Sequence, residues 1–194
     1  MTEPEHTFLF CDLVGFTALT DAEGDERAAA VAAALQLRVR SVATDHGAEM
    51  VKAMGDAAML RCTDPSRASR LALGLVREVD SDPALPPVRI GVHSGSAVEH
   101  EGDWYGRAVN VASRLCTVAA AGEVLVSEST LAAATELRKV SVGERRLHWL
   151  KNVTEPVAVR PADPVRQPRR VRELFSRCPL VPDRRGHATV GGAA

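Results

Sequence analysis

The chain of 194 residues predicts an α+β fold, a ferredoxin-like βαββαβ sandwich with extra strands at its C-terminal end. Three observations carry this. Apolar runs of strand length alternate with segments of helical periodicity in the order strand, helix, strand, strand, helix, strand. The middle two strands are joined by the short AMGD segment, which leaves room only for a hairpin. The apolar content of 45% suits the core of one ordinary domain plus some excess chain, and not two large domains.

The elements follow in order. Residues Thr7 to Val14 (TFLFCDLV) form an apolar run of strand length with one carboxylate, Asp12, inside it. A loop, GFTALTDAEGDE, leads to a helix from about Arg27 to His46, where Val31, Leu35, Val39 and Val42 recur at helical spacing and Gly47 stands ready to end it. Strands follow over about Glu49 to Lys52 and Ala57 to Cys62. Asp64-Pro65 then supplies an N-cap and a first-turn proline for a helix reaching about Asp80, with Leu71, Leu75 and Val79 inward. The stretch VRIGVHSGSAVEHE reads as two strands around a turn at His93-Ser94-Gly95. GRAVNVASRLC restores helical periodicity, VLVS is a strand, and a short helix spans about Ser127 to Glu136. RRLHWL and PVAVR are the last strand candidates. This order predicts helices covering one face of a mostly antiparallel sheet.

From Arg160 onward eight arginines stand against three acids among many prolines. Residues 1–160 are therefore the expected folded domain and 161–194 an expected flexible, solvated tail.

The formal net charge of −1 gives no global reason to expect nucleic acid or an anionic membrane as partner. No apolar stretch reaches membrane-span length, and the start MTEPEHTFLF is acidic where a secretion signal is basic, so a cytoplasmic location is expected. The four cysteines, Cys11, Cys62, Cys116 and Cys178, lie far apart without CxxC spacing and read as reduced thiols, three of them core residues.

Asp12 and Asp56 each sit where an apolar strand meets a turn. If those strands are neighbours, the two carboxylates converge on hard cations, which bind through one or two carboxylates plus substrate phosphates. Beside Asp12 the loop LVGFTA, with Gly15, Phe16 and Thr17, offers backbone N–H groups to phosphate. Either aspartate alone is more simply a turn residue capping local N–H groups. Asn110 and Arg114, four apart, share one face of the predicted helix after Gly106, opposite its apolar positions.

These segments match a family pattern. FCDLVGFTAL resembles the F-A-D-[IL]-x-G-F-T signature of class III adenylyl and guanylyl cyclases, and KAMGDAAM resembles their K-x-x-G-D segment. RIGVHSG resembles the following strand and turn, and DWYGRAVNVASRL resembles D-x-[FW]-G-x-x-V-N-x-A-[AS]-R. The four occur in family order and spacing over about residues 7 to 160. The resemblance implies a class III cyclase homology domain, with Asp12 and Asp56 as binders of two divalent ions, Mg²⁺ or Mn²⁺. It implies Lys52 and Asp103 as the pair that reads the base, Asn110 and Arg114 as the residues that orient the ribose and stabilise the α-phosphate, and Lys151 as a contact to the triphosphate. The family usually has Gly after that lysine; Asn152 stands here, a residue that tolerates left-handed backbone.

Lysine rather than glutamate at position 52 implies ATP as substrate and cyclic AMP and pyrophosphate as products. In this family the site lies between two domains, so the resemblance implies a head-to-tail homodimer with two equivalent sites. Because the metal pair begins at residue 12, no regulatory domain is expected before it. His93 is expected to be structural. A catalytically silent nucleotide-binding member and a guanylyl cyclase are the alternatives; a diguanylate cyclase lacks its GG[DE]EF signature here.

Overall fold

The structure, a computed structural model, describes residues 5–164. The expected tail beyond Pro164, with Cys178, lies outside the described residues. β1 (Glu5–Leu13) pairs antiparallel with β3 (Ala57–Cys62) on one side and with β4 (Val88–Ser96) on the other. β2 (Glu49–Met54) pairs with β3 through a hairpin in which Met54 faces Ala57, so the whole turn is Gly55-Asp56. The order β2-β3-β1-β4 is the ferredoxin-like core, and the extra strands extend it: β7 (Val124–Ser127) lies parallel to β4, and β10 (Val157–Pro164) joins β7, β8 (Val140–Val142) and β9 (Arg146–His148). β10 thus continues four residues beyond the expected domain boundary at residue 160.

Three expectations are corrected. The segment read as a loop after β1 contains a helix, α1 (Phe16–Glu23), followed at once by α2 (Asp25–Asp45). The two are separated by Gly24 alone, whose φ of 85° breaks the helical path. His93-Ser94-Gly95 is no turn: β4 runs straight through it, because the ladder to β1 continues to the Glu5–Ser96 pair and the Ser94 hydroxyl is bonded to Thr7 Oγ1 at 2.8 Å. The chain reverses later, in a separate hairpin of β5 (Val98–His100) and β6 (Asp103–Tyr105).

The third correction concerns layers. α2 and α3 (Pro65–Asp80) cover one face of the sheet, packing on Leu9, Cys11 and Leu13. α4 (Arg107–Val118) lies on the other face, where Ala108, Ala112 and Cys116 meet Phe8, Phe10 and Met59. Side chains alternate along β1, so an uninterrupted apolar run requires cover on both faces. α3 starts as its sequence indicates, with the Asp64 carboxylate accepting from Ser66 N at 2.8 Å and Arg67 N at 3.1 Å, a cap worth about 1 kcal/mol. The short α5 (Glu128–Ala133) is capped by Ser127 and ends before the expected Glu136. Cys11, Cys62 and Cys116 are buried free thiols, and burial pushes the Cys11 thiol up to about 12.

Candidate active site

The site begins at the end of β1. Even-numbered residues of that strand face α4, so Asp12 shares the side of Phe8 and Phe10. Its cross-strand neighbours are Ala57 on β3 and Arg89 on β4. Ala57 leaves room, and Asp56, one residue beyond it in the hairpin turn, is drawn against the strand end by a bond from Leu13 N to the Asp56 carbonyl at 3.2 Å. The two carboxylates are close enough to perturb one another. Burial first, and then the negative charge and hydrogen bonding of Asp12, raise Asp56 above the usual carboxylate range.

Arg89 was not singled out from the sequence. Its Nε and Nη2 donate to Asp12 Oδ2 at 2.8 and 2.5 Å, and its Nη1 donates to the Thr117 carbonyl in the last turn of α4 at 2.9 Å. It therefore fixes the Asp12 carboxylate and ties it to the helix that carries Asn110 and Arg114. The signal that would have found it is register: the arginine of VRIG stands directly across from Asp12 in an antiparallel ladder.

Among the described residues no group of three or more His, Cys, Asp or Glu side chains converges as a metal cage. Two adjacent carboxylates, one of them raised by burial and then by its neighbour, are nevertheless the donor set that a hard divalent cation uses when phosphate oxygens supply the rest. A cation there would offset both the burial and the neighbouring charge that lift Asp56, so the residues present fit such an ion.

After β1, Gly15 takes a φ of 81°, a conformation that favours glycine, and turns the chain into α1. The amides of Phe16 and Thr17 fall in the first turn, where helix N–H groups lack intrahelical acceptors. Thr17 is exposed and Phe16 half-buried against the core.

A second pair forms some way along the sheet. Lys52 on β2 donates from Nζ to Asp103 Oδ2 at 2.5 Å, and Asp103 Oδ1 accepts from Trp104 N at 2.8 Å. The bond from Lys52, then that from the Trp104 amide, hold the Asp103 carboxyl below its ordinary range. Behind the pair, Trp104 is anchored by the Arg61 guanidinium, 4.5 Å from its ring centre, and by the His6 ring at 4.4 Å. Arg61 is itself bonded to Glu49 at 3.2 Å and to His6 Nδ1 at 3.2 Å. This clamp also escaped sequence reasoning, since its members come from β1, β2, β3 and β6.

Asn110 and Arg114 stand on the exposed side of α4, while Ala108, Val111, Ala112 and Leu115 are buried beneath it. Lys151 is exposed in the turn after β9. Its neighbour Asn152 has a φ of 61°, the left-handed geometry expected where the family pattern has Gly. The turn is held by Leu150 and Val153, which pack against Val111 and Leu115 of α4. Within one chain the structure therefore joins Asp12 to Asp56 and Lys52 to Asp103. Asn110, Arg114 and Lys151 make no side-chain hydrogen bond or ion pair among the described residues. His93 donates or accepts at Ser127 Oγ, 2.9 Å away, and burial followed by the nearby Arg107 charge lowers its pKa to about 4.

Comparisons with known proteins identify the family and the fold. Residues 2–154 match the adenylate and guanylate cyclase catalytic domain family, and the chain belongs to that family. It is 44% identical over 123 residues to the pH-sensitive adenylate cyclase MT1302 of Mycobacterium tuberculosis, a match covering 63% of this chain and 31% of that protein. It is 34% identical over 117 residues to an adenylate cyclase of Streptomyces coelicolor, covering 60% of this chain and 31% of that one. The chain thus aligns with less than a third of either relative's length. In fold it is similar to the adenylyl cyclase CyaB from P. aeruginosa, with a TM-score of 0.72 and 20% identity over 84% of this chain and 95% of that one. It is also similar to the catalytic core of a rhodopsin-guanylyl cyclase with converted specificity, with a TM-score of 0.76 and 22% identity over 84% and 97%.

Proposed function

We propose that the chain is an adenylate cyclase that converts ATP to 3′,5′-cyclic AMP and pyrophosphate at sites shared between two subunits of a head-to-tail homodimer. The observation that carries this reading is the Lys52–Asp103 pair, a cation and an anion held 2.5 Å apart at positions suited to reading a base. An ammonium donates to adenine N1, where guanine bears a proton. A carboxylate accepts from the adenine 6-amino group, where guanine presents an oxygen. Each mismatched contact leaves a polar group unsatisfied at roughly 1 to 3 kcal/mol, so the pair favours ATP over GTP.

Asp12 and Asp56 would hold the two divalent ions, Mg²⁺ or Mn²⁺, whose chemistry when bound is to acidify the ribose 3′-hydroxyl and neutralise the departing pyrophosphate. Arg89 keeps the Asp12 carboxylate aimed. The amides of Gly15, Phe16 and Thr17 receive phosphate oxygens, and Lys151 adds a charge to the triphosphate. Asn110 orients the ribose, and Arg114 stabilises the charge that builds on the α-phosphate, a task suited to a guanidinium. The 3′-oxygen forms its bond to the α-phosphorus, the bond from that phosphorus to the bridging oxygen breaks, pyrophosphate leaves, and the hydroxyl proton passes to solvent. No covalent enzyme intermediate is needed.

Exposed apolar side chains beside the site residues support a second subunit covering them: Met54 next to the Gly55-Asp56 turn, Tyr105 after the Asp103 pair, and Trp149, 75% exposed, before Lys151. Mixing inactive Asp12→Ala chains with inactive Arg114→Ala chains tests the whole reading. Random exchange makes half of the dimers mixed, each with one intact site, so activity should return to about a quarter of wild type with ATP and Mn²⁺. No recovery under conditions where subunits exchange refutes the shared site.

A further inference from the structure

We propose that this domain carries a second anion site, remote from the carboxylate pair, in the cleft between the C-terminal end of α2, the outer face of α3 and the end of β10. The cleft encloses about 570 Å³ and is lined by His46, Arg70, Gly74, Arg77, Lys139 and Pro164, with Leu73 completing its wall. That volume falls in the range of small-molecule pockets.

The helix geometry builds it. Arg70, Leu73, Gly74 and Arg77 follow the spacing that places side chains on one face of α3. At Gly74 the floor lacks a side chain because α2 comes close: an added Cβ would lie 3.3 Å from Val42 Cγ1 and 3.7 Å from His46 Cε1. His46 Nδ1 is 2.9 Å from the Val42 carbonyl, so a proton on Nδ1 is donated there and Nε2 is left for a ligand. Lys139 enters from the start of β8 on a backbone held at a φ of 67°, uncommon for a residue with a side chain.

Charge identifies the occupant. Among the described residues no acidic side chain lines the cleft, although the whole chain has a net charge of −1. Arg27, Arg38, Arg61, Arg67, Arg89, Arg138, Arg146 and Arg160 each pair with a carboxylate, whereas Arg70 and Arg77, like Arg40, Arg107, Arg114 and Arg145, have no ion pair among the described residues, and Arg70 and Arg77 share one cleft with a further cation, Lys139. Cations gathered without counter-charge are mutually repulsive, and two guanidinium forks with an ammonium match the oxygens of a phosphate group. The cleft exceeds a bare phosphate, and Leu73 and Pro164 give it an apolar side, so the ligand class is a small soluble phosphate ester. It lies on the α2–α3 face, whereas Asp12 faces α4. The site is therefore separate from the one proposed for ATP, and its existence does not depend on cyclase activity.

Pyrophosphate and glycerol phosphate, titrated without divalent metal into the ¹⁵N-labelled full chain at ionic strength held constant with chloride, test this. Saturable shifts are expected in the Gly74 amide and the His46 imidazole. Arg70→Gln combined with Arg77→Gln should weaken the affinity by about tenfold or more, since two charge-assisted contacts are lost. Arg40→Gln with Arg145→Gln, which removes the same charge from exposed positions outside the cleft, should leave it unchanged. Shifts that are absent, that fail to saturate, or that persist equally in the Arg70/Arg77 variant overturn the proposal. An unchanged amide spectrum elsewhere in the variant establishes that it has folded.

Discussion

Replacing Gly91 with alanine should separate α4 from the sheet and cost both stability and turnover. Gly91 lies in the middle of β4, and a Cβ built there would stand 2.2 Å from Cys116 N, 2.5 Å from the Ala112 carbonyl oxygen and 2.8 Å from the Leu115 carbonyl carbon. All three are backbone atoms of α4, which no rotamer change can move aside. Restoring even a tight contact requires the helix to retreat by about 1 Å, and overpacking of this kind costs typically 1 to 3 kcal/mol. The clash with rigid backbone on three sides places the expected loss at the upper end, about 3 kcal/mol or more. The same retreat displaces Asn110 and Arg114, which ride on α4, and a misplacement of about 1 Å can lower turnover by about a hundredfold. Urea unfolding followed by circular dichroism gives the first number, and cyclic AMP formation well below the unfolding temperature gives the second. A variant less than about 0.5 kcal/mol destabilised, with turnover near wild type, would refute the claim that close backbone contact at Gly91 sets the helix position.

Three further outcomes are expected. Lys52→Glu places two carboxylates where the ion pair stood, and competition between ATP and GTP should show the preference for ATP falling by about tenfold to a hundredfold. Arg61→Met keeps bulk over Trp104 but removes its cationic contact and its bonds to His6 and Glu49. KM for ATP should rise by about three- to tenfold with a smaller change in kcat, and Arg61→Lys should restore part of it; equal loss in both parameters would point to general unfolding instead. His93 is held neutral by burial and by Arg107, with its pKa lowered from 6.5 to about 4. The unfolded chain takes up that proton first as pH falls, so His93 leaves stability intact above 6.5 and removes up to about 3 kcal/mol between 6.5 and 4. In His93→Gln the unfolding free energy should fall less steeply across that window, and an identical slope would count against a buried neutral imidazole.

Much of the fold was legible because its signals are local. The apolar run of β1, the Asp64-Pro65 start of α3 and the hairpin connection within AMGD all depend on a few neighbouring residues and appear where expected, the turn itself narrowing to Gly55-Asp56 because β2 extends to Met54. The errors came where distant pairing overrode composition. His93-Ser94-Gly95 has the residues of a turn, yet its ladder to β1 keeps it extended. α1 is a single short helix between two glycines of positive φ, with no residue buried to mark an inner face, so its periodicity was too weak to read.

By itself the amino-acid order determined the family, the βαββαβ order of the main elements and which seven side chains match the family's motif positions, since motifs and periods are properties of the chain as written. Only the tertiary structure decided that α4 opposes α2 and α3, that Arg89 grips Asp12, and that Arg61 and His6 brace Trp104 behind the Lys52–Asp103 pair. It also decided that Arg70, Arg77, Lys139 and His46 share one cleft. These contacts join residues from separate elements, and register and helix packing, which no local pattern encodes, bring them within reach.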